Sequence, residues 1–179
     1  MNIGRSVVVV GIVILAVIFT INIWYKKGQT HAEIIANDIS ELVGIFQQIN
    51  THCMITGFDL TKNSINFLNV TKFAGSEVGA MNLAYPDKWQ GPYLTDNPTV
   101  QGIEYQIVRT NQGYFIIPGD GVSLPSGKVI GKDIIINADT DIAKLMESED
   151  GFRYKKLTFA APLNFIQTKE QYMARLIGE

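Results

Sequence analysis

Residues 7–24, VVVVGIVILAVIFTINIW, limit what this chain can be more than any other stretch. None of the eighteen carries a charge, and only Thr20 and Asn22 are plainly polar. At 1.5 Å per residue the run gives roughly 27 Å of helix, close to the thickness of a bilayer's hydrocarbon core. A lone segment in lipid must satisfy its backbone hydrogen bonds internally, so the expected form is a membrane helix. The run exceeds the about 7–15 apolar residues of a secretion signal, and WYKKGQTH follows it without a small-residue cleavage pattern. A retained anchor is therefore expected. Arg5 precedes the run and Lys26 and Lys27 follow it, so charge does not set the orientation.

About 150 residues remain, enough for one domain core. The expected division is a short leader and transmembrane helix over residues 1–28, then one extracytoplasmic domain over residues 29–179. The 179-residue chain carries 15 Lys and Arg against 17 Asp and Glu, a net charge of −2. No basic stripe stands out, which argues against a nucleic-acid partner. Cys53 is the only cysteine, which excludes an internal disulfide and a Cys-based zinc site.

Residues 30–50 show helical periodicity. Ile35, Ile39, Leu42, Phe46 and Ile49 are spaced to form one stripe. Thr30 and Glu33 fit a capping box, marking either a restart there or a passing feature of one helix through Gly28. The first proline is Pro86, so a single helix of about 45 residues, roughly 70 Å long, is permitted. The chain then changes character. Residues 78–94 read as a loop. IEYQIVR (103–109) and YFII (114–117) read as a hairpin around TNQG. PGDGVSLPSG (118–127) reads as turns and VIGKDIIIN (129–137) as a strand. A short helix is expected from Thr140 to about Glu147, with Thr140 or Asp139 as N-cap and Gly151 as the C′ residue. FRYKKLTFA (152–160) reads as a strand and 163–177 as a closing helix. One apolar helix face and an antiparallel sheet imply helix-on-sheet packing.

Three patterns carry a family resemblance. MNIG runs directly into the apolar segment. The amphipathic stretch continues it to about Asn50. Trp89-Gln90-Gly91-Pro92-Tyr93-Leu94 looks like the W-x-G-P-Y-L element between helix and sheet. With these the chain resembles the type IV pilin and type II secretion pseudopilin superfamily. The resemblance implies an α+β, pilin-like fold: a long N-terminal α-helix, transmembrane in one half and amphipathic in the other, on a small antiparallel β-sheet. It implies a filament subunit or minor (pseudo)pilin in the inner membrane, its C-terminal domain outside the cytoplasm. Its partners would be the membrane and other pilin-like subunits. Leader cleavage would fall between Gly4 and Arg5. Val9, Gly11 and Ala16 would lie on the assembly helix, and Trp89, Gly91, Pro92, Tyr93 and Leu94 in a structural loop. Where the family usually carries Glu, five residues past the leader Gly, this chain has Val9. The alternative is a membrane-anchored extracytoplasmic binding domain that does not polymerise.

Catalytic chemistry is not expected. His31, His52 and Cys53 lack a third partner at ligand spacing. PGDGVSLPSGK matches neither a P-loop nor a dinucleotide fingerprint. No cofactor is expected. The resemblance raises Ca²⁺ as a candidate ion, because major pseudopilins often bind it in a C-terminal loop. Asp139, Asp141, Glu149 and Asp150 are the candidate ligands, although capping also accounts for Asp139 and Asp141.

Overall fold

The computed structural model describes residues 31–72 and 81–165. Its first element, α1, covers residues 31–53. Ile35, Ile39, Leu42, Phe46 and Ile49 are all buried along it, while Glu33, Asn37, Glu41, Gln47 and Gln48 are exposed. Residue steps of 3 and 4 keep the apolar set on one side of a 3.6-residue turn.

The expected fold, with a helix transmembrane over one half, requires correction. Among the described residues no helix is long and apolar enough to cross a membrane. α1 is 23 residues long, but Glu33, Asp38 and Glu41 interrupt it and its apolar residues form one stripe rather than surrounding the axis. A helix of that pattern is satisfied by one apolar neighbour and a wet opposite face. The apolar run 7–24 lies outside the described residues.

Among the described residues nine short strands follow: β1 (Ile55–Phe58), β2 (Lys62–Ser64), β3 (Met81–Leu83), β4 (Thr99–Val100), β5 (Ile103–Thr110), β6 (Gly113–Pro118), β7 (Arg153–Tyr154), β8 (Leu157–Thr158) and β9 (Ala161–Leu163). A second helix, α2 (Ile142–Glu147), precedes β7. The main sheet runs β2-β5-β6-β9, and β4 also pairs with β5. Every strand pair in it is antiparallel. Among the described residues β9 is an outer strand of that sheet, and it carries Pro162 at its centre. β1 with β3 and β7 with β8 make two small ribbons.

β5 and β6 form the long hairpin, turning at Asn111-Gln112. Tyr105 and Ile107 stand opposite Pro118 and Ile116, and Val108 stands opposite Phe115. Opposed residues share a sheet face and successive ones alternate. Both sets are buried, so the hairpin is covered on both sides. The stripe of α1 shares one core with them. Phe46 meets Phe58 at 6.4 Å and Phe67 at 6.1 Å between ring centroids, both edge-on, the geometry that aromatic quadrupoles favour. Across the same interface the Tyr105 hydroxyl donates to Asp38 Oδ2 at 2.7 Å. Burial, and then the Asp38 carboxylate, push the Tyr105 phenol well above its ordinary pKa, so it stays a donor.

Several local expectations change. Residues 129–137 form no named strand: they turn at Gly131, whose φ is +82°, and make only isolated bridges. The Asp133 carboxylate accepts from Val129 N–H at 2.8 Å, a local bond that competes with a ladder. Residues 152–160 form the β7–β8 hairpin rather than one strand. The N-cap of α2 is Asp141, which accepts from Lys144 N–H at 2.9 Å, and its C-cap is Ser148. Gly151 lies beyond the C′ position. It packs where a Cβ would stand 2.5 Å from Leu145 O. Of the expected 163–177 helix, residues 163–165 are described and are not helical.

Candidate functional site

Gly4, Arg5, Val9, Gly11 and Ala16 lie outside the described residues, so the leader site and the assembly segment have no geometry here. The remaining candidates resolve into a clamped loop and a dispersed set of acids, and the described residues add two surface hollows.

The loop is Trp89–Leu94, behind a short 3-10 turn at Pro86–Lys88. It is fastened to residues 68–70, about twenty positions earlier. Trp89 Nε1–H donates to the Val70 carbonyl at 3.0 Å. Tyr93 and Leu94 N–H both donate to the Leu68 carbonyl, at 2.8 and 3.2 Å. The Trp89 and Tyr93 rings meet edge-on at 4.8 Å. Gly91 fits because a Cβ there would land on Trp89 Nε1 and the Val70 carbonyl. The Gly91–Pro92 peptide is cis. Asn97 extends the clamp, accepting from Leu68 N–H at 2.9 Å. Trp89, Tyr93 and Leu94 are half-buried against the core. Their polar atoms point to backbone, so this arrangement positions chain rather than presenting a ligand site. Burial also holds the Tyr93 phenol above its ordinary pKa.

The acids do not converge. Asp139 accepts from Asn111 Nδ2 at 2.8 Å, Asp141 caps α2, and Asp150 faces Lys128 at 3.9 Å beyond the far end of that helix. Glu149 is exposed beside it. Among the described residues no three His, Cys, Asp or Glu side chains form a group that could hold a metal. The Lys144 N–H holds the Asp141 carboxyl below its ordinary pKa. Cys53 is buried, and loss of hydration raises its thiol to about 11, with the Asp87 charge acting in the same direction. At that value the thiolate is scarce near neutral pH, and the thiol is a poor nucleophile. Neighbouring His52 turns back to the Gln48 carbonyl at 2.9 Å.

Two hollows were not evident in the sequence. One, of about 410 Å³, is lined by Ile55, Thr56, Gln112, Tyr114, Leu163 and Phe165 among others. It lies beside the Phe58, Tyr114 and Phe165 rings, whose centroids are 5.5–5.9 Å apart. The other, of about 460 Å³, is a groove between α1 and the β7–β8 hairpin. Ala36, Ser40 and Val43 line one wall, and Lys156, Leu157 and Ala160 line the other. Of the basic residues in RYKK, Lys156 lines the groove. Neither hollow gathers a nucleophile, base and orienting group of the kind acyl- or phosphoryl-transfer sites need. Comparison of the chain with family models, curated proteins and solved structures returns no match.

Proposed function

We propose that this chain is a structural subunit, a minor pilin or pseudopilin of a type IV pilus or type II secretion pseudopilus, held at the membrane by its apolar segment 7–24 with its domain outside the cytoplasm. The observation that supports this most is the order of surfaces along the chain. An uncharged 18-residue run leads within a few residues to α1, whose apolar stripe is used up against an antiparallel sheet. The domain thus completes its own core and leaves segment 7–24 to meet lipid or other copies. The clamped Trp89–Leu94 loop suits the same role, since it braces the connection between β3 and β4 against residues 68–70. Filament growth would exchange lipid for neighbouring apolar segments, so packing shape would decide the register.

The test uses the full chain in membranes with its native partner system and Cys53→Ala. Cysteine pairs are placed along residues 6–24 and oxidised. The expected result is a ladder of multimers from a chain that stays in the pellet after alkaline washing. Gly11→Leu or Ala16→Leu should weaken the ladder without releasing the chain. A chain that washes off overturns the membrane assignment. A retained chain that forms no ladder overturns the subunit reading in favour of an anchored binding domain.

A further inference from the structure

α1 and the β7–β8 hairpin carry opposite charge. Residues 31–53 include Glu33, Asp38 and Glu41 and no Lys or Arg. Residues 152–160 include Arg153, Lys155 and Lys156 and no Asp or Glu. Asp38 is engaged by Tyr105. Arg153 Nε donates to the Lys155 carbonyl, and Lys155 lies over the Tyr154 ring. Glu41 and Lys156 are exposed, and neither forms an ion pair with another described residue.

Their placement keeps them apart within one molecule. Lys156 lines the groove whose other wall is the Ala36, Ser40 and Val43 side of α1. Successive residues turn 100° about a helix axis, so Ile34 and Glu41 project nearly half a turn away from that wall. Ile34 is 48% exposed, one of three large apolar side chains so open among the described residues. It sits two helical turns from Glu41 on the same side. One face of α1 therefore offers an apolar knob and a carboxylate. The groove offers apolar Val43, Leu157 and Ala161 with an ammonium beside them.

We propose that a second copy of this chain seats the Ile34–Glu41 face of its α1 in the groove between α1 and the β7–β8 hairpin. Ile34 enters against Leu157 and Ala161, and Glu41 pairs with Lys156. Knob and groove lie on different sides of the molecule, so the contact is head-to-tail, and it repeats as an open filament when the rotation between copies does not close a ring. This is the geometry of a filament, and the inference rests on the subunit reading above. Charge complementarity fixes the register of such a contact more than its strength.

The experiment uses the full chain in membranes, with Cys53→Ala, Ile34→Cys and Leu157→Cys. Oxidation should give a multimer ladder. Glu41→Lys or Lys156→Glu alone should lower the multimer fraction about fivefold, the scale of one exposed ion pair. The two reversals together should restore it to within about twofold, which also shows that neither reversal acts by unfolding the chain. A ladder insensitive to both reversals overturns the pairing. Absence of this ladder where cysteines along 6–24 still crosslink overturns the groove interface and leaves the subunit reading standing. Absence of both ladders overturns both.

Discussion

The pairing of α1 with the β5–β6 hairpin and the segment from Gly119 to Phe152 bury apolar side chains equally well, by different means. In the first, Phe46, Ile49, Tyr105, Ile107 and Ile116 are fully buried on regular elements. In the second, Val122, Leu124, Ile130, Ile134, Ile136 and Ile142 are buried too, yet α2 is the only complete helix or strand. That segment satisfies its backbone turn by turn. Gly121 N–H donates to Ile130 O, Ile130 N–H to Val122 O and Leu124 N–H to Lys128 O. Asn137, Thr140 and Asp133 side chains fill the gaps. Lys62 then ties Asp120 to β2 at 2.7 Å. Apolar content decides that a segment is buried; its Asn, Asp and Gly residues decide whether it runs straight on the way.

That contrast makes the two regions differ in their weak points. The helix–sheet region should be most sensitive to lost side-chain volume. Phe46→Ala removes a ring packed between Phe58 and Phe67 and should cost about 3–5 kcal/mol in denaturant unfolding. A midpoint change no larger than that of a surface variant would break the helix-on-sheet account.

The clamped loop should be sensitive to added volume instead. Gly91→Ala should cost about 1–3 kcal/mol and shift Trp89 fluorescence, because the new methyl displaces the indole from Val70. Unchanged emission and stability would mean that the loop is not clamped.

The turn-built segment should be sensitive to backbone conformation. Gly131→Ala forces a side chain into φ +82° against Asp120 at 3.0 Å. It should cost about 1–2 kcal/mol, less than Phe46→Ala. An equal or larger loss would reverse the comparison.

The smallest effect belongs to Asp141, and it depends on pH. Its folded pKa lies below the ordinary 3.8, so the unfolded chain takes up the proton first as pH falls. Its contribution is complete above that ordinary value and disappears as pH drops through the folded value. Asp141→Asn should therefore be less stable than the parent at neutral pH and converge with it in acid. A gap that widens below pH 3.8 would have the wrong sign.

The same contrast explains what the sequence made legible. The α1 stripe is a period, and a period survives without knowledge of neighbours. The β5–β6 hairpin was equally readable, since alternation flanks a polar turn. VIGKDIIIN was not, because its apolar content suits a strand while Gly131 and Asp133 close a local turn. The Trp89–Leu94 loop was visible as a string, but its anchors at Leu68 and Val70 are set by the tertiary fold. Tyr105 meeting Asp38, and Lys156 facing the side of α1, are likewise distances across 67 and more than 100 positions of chain, which no local pattern encodes.

The outer strand β9 has a bearing on traffic between molecules. An exposed sheet edge is a template for any extended chain that reaches it, and subunits crowded on one surface meet such chains constantly. β9 is three residues long and its middle residue, Pro162, has no N–H to offer. Strand-to-strand recruitment is thereby starved at that margin, and disordered accretion loses a foothold that orderly docking does not require.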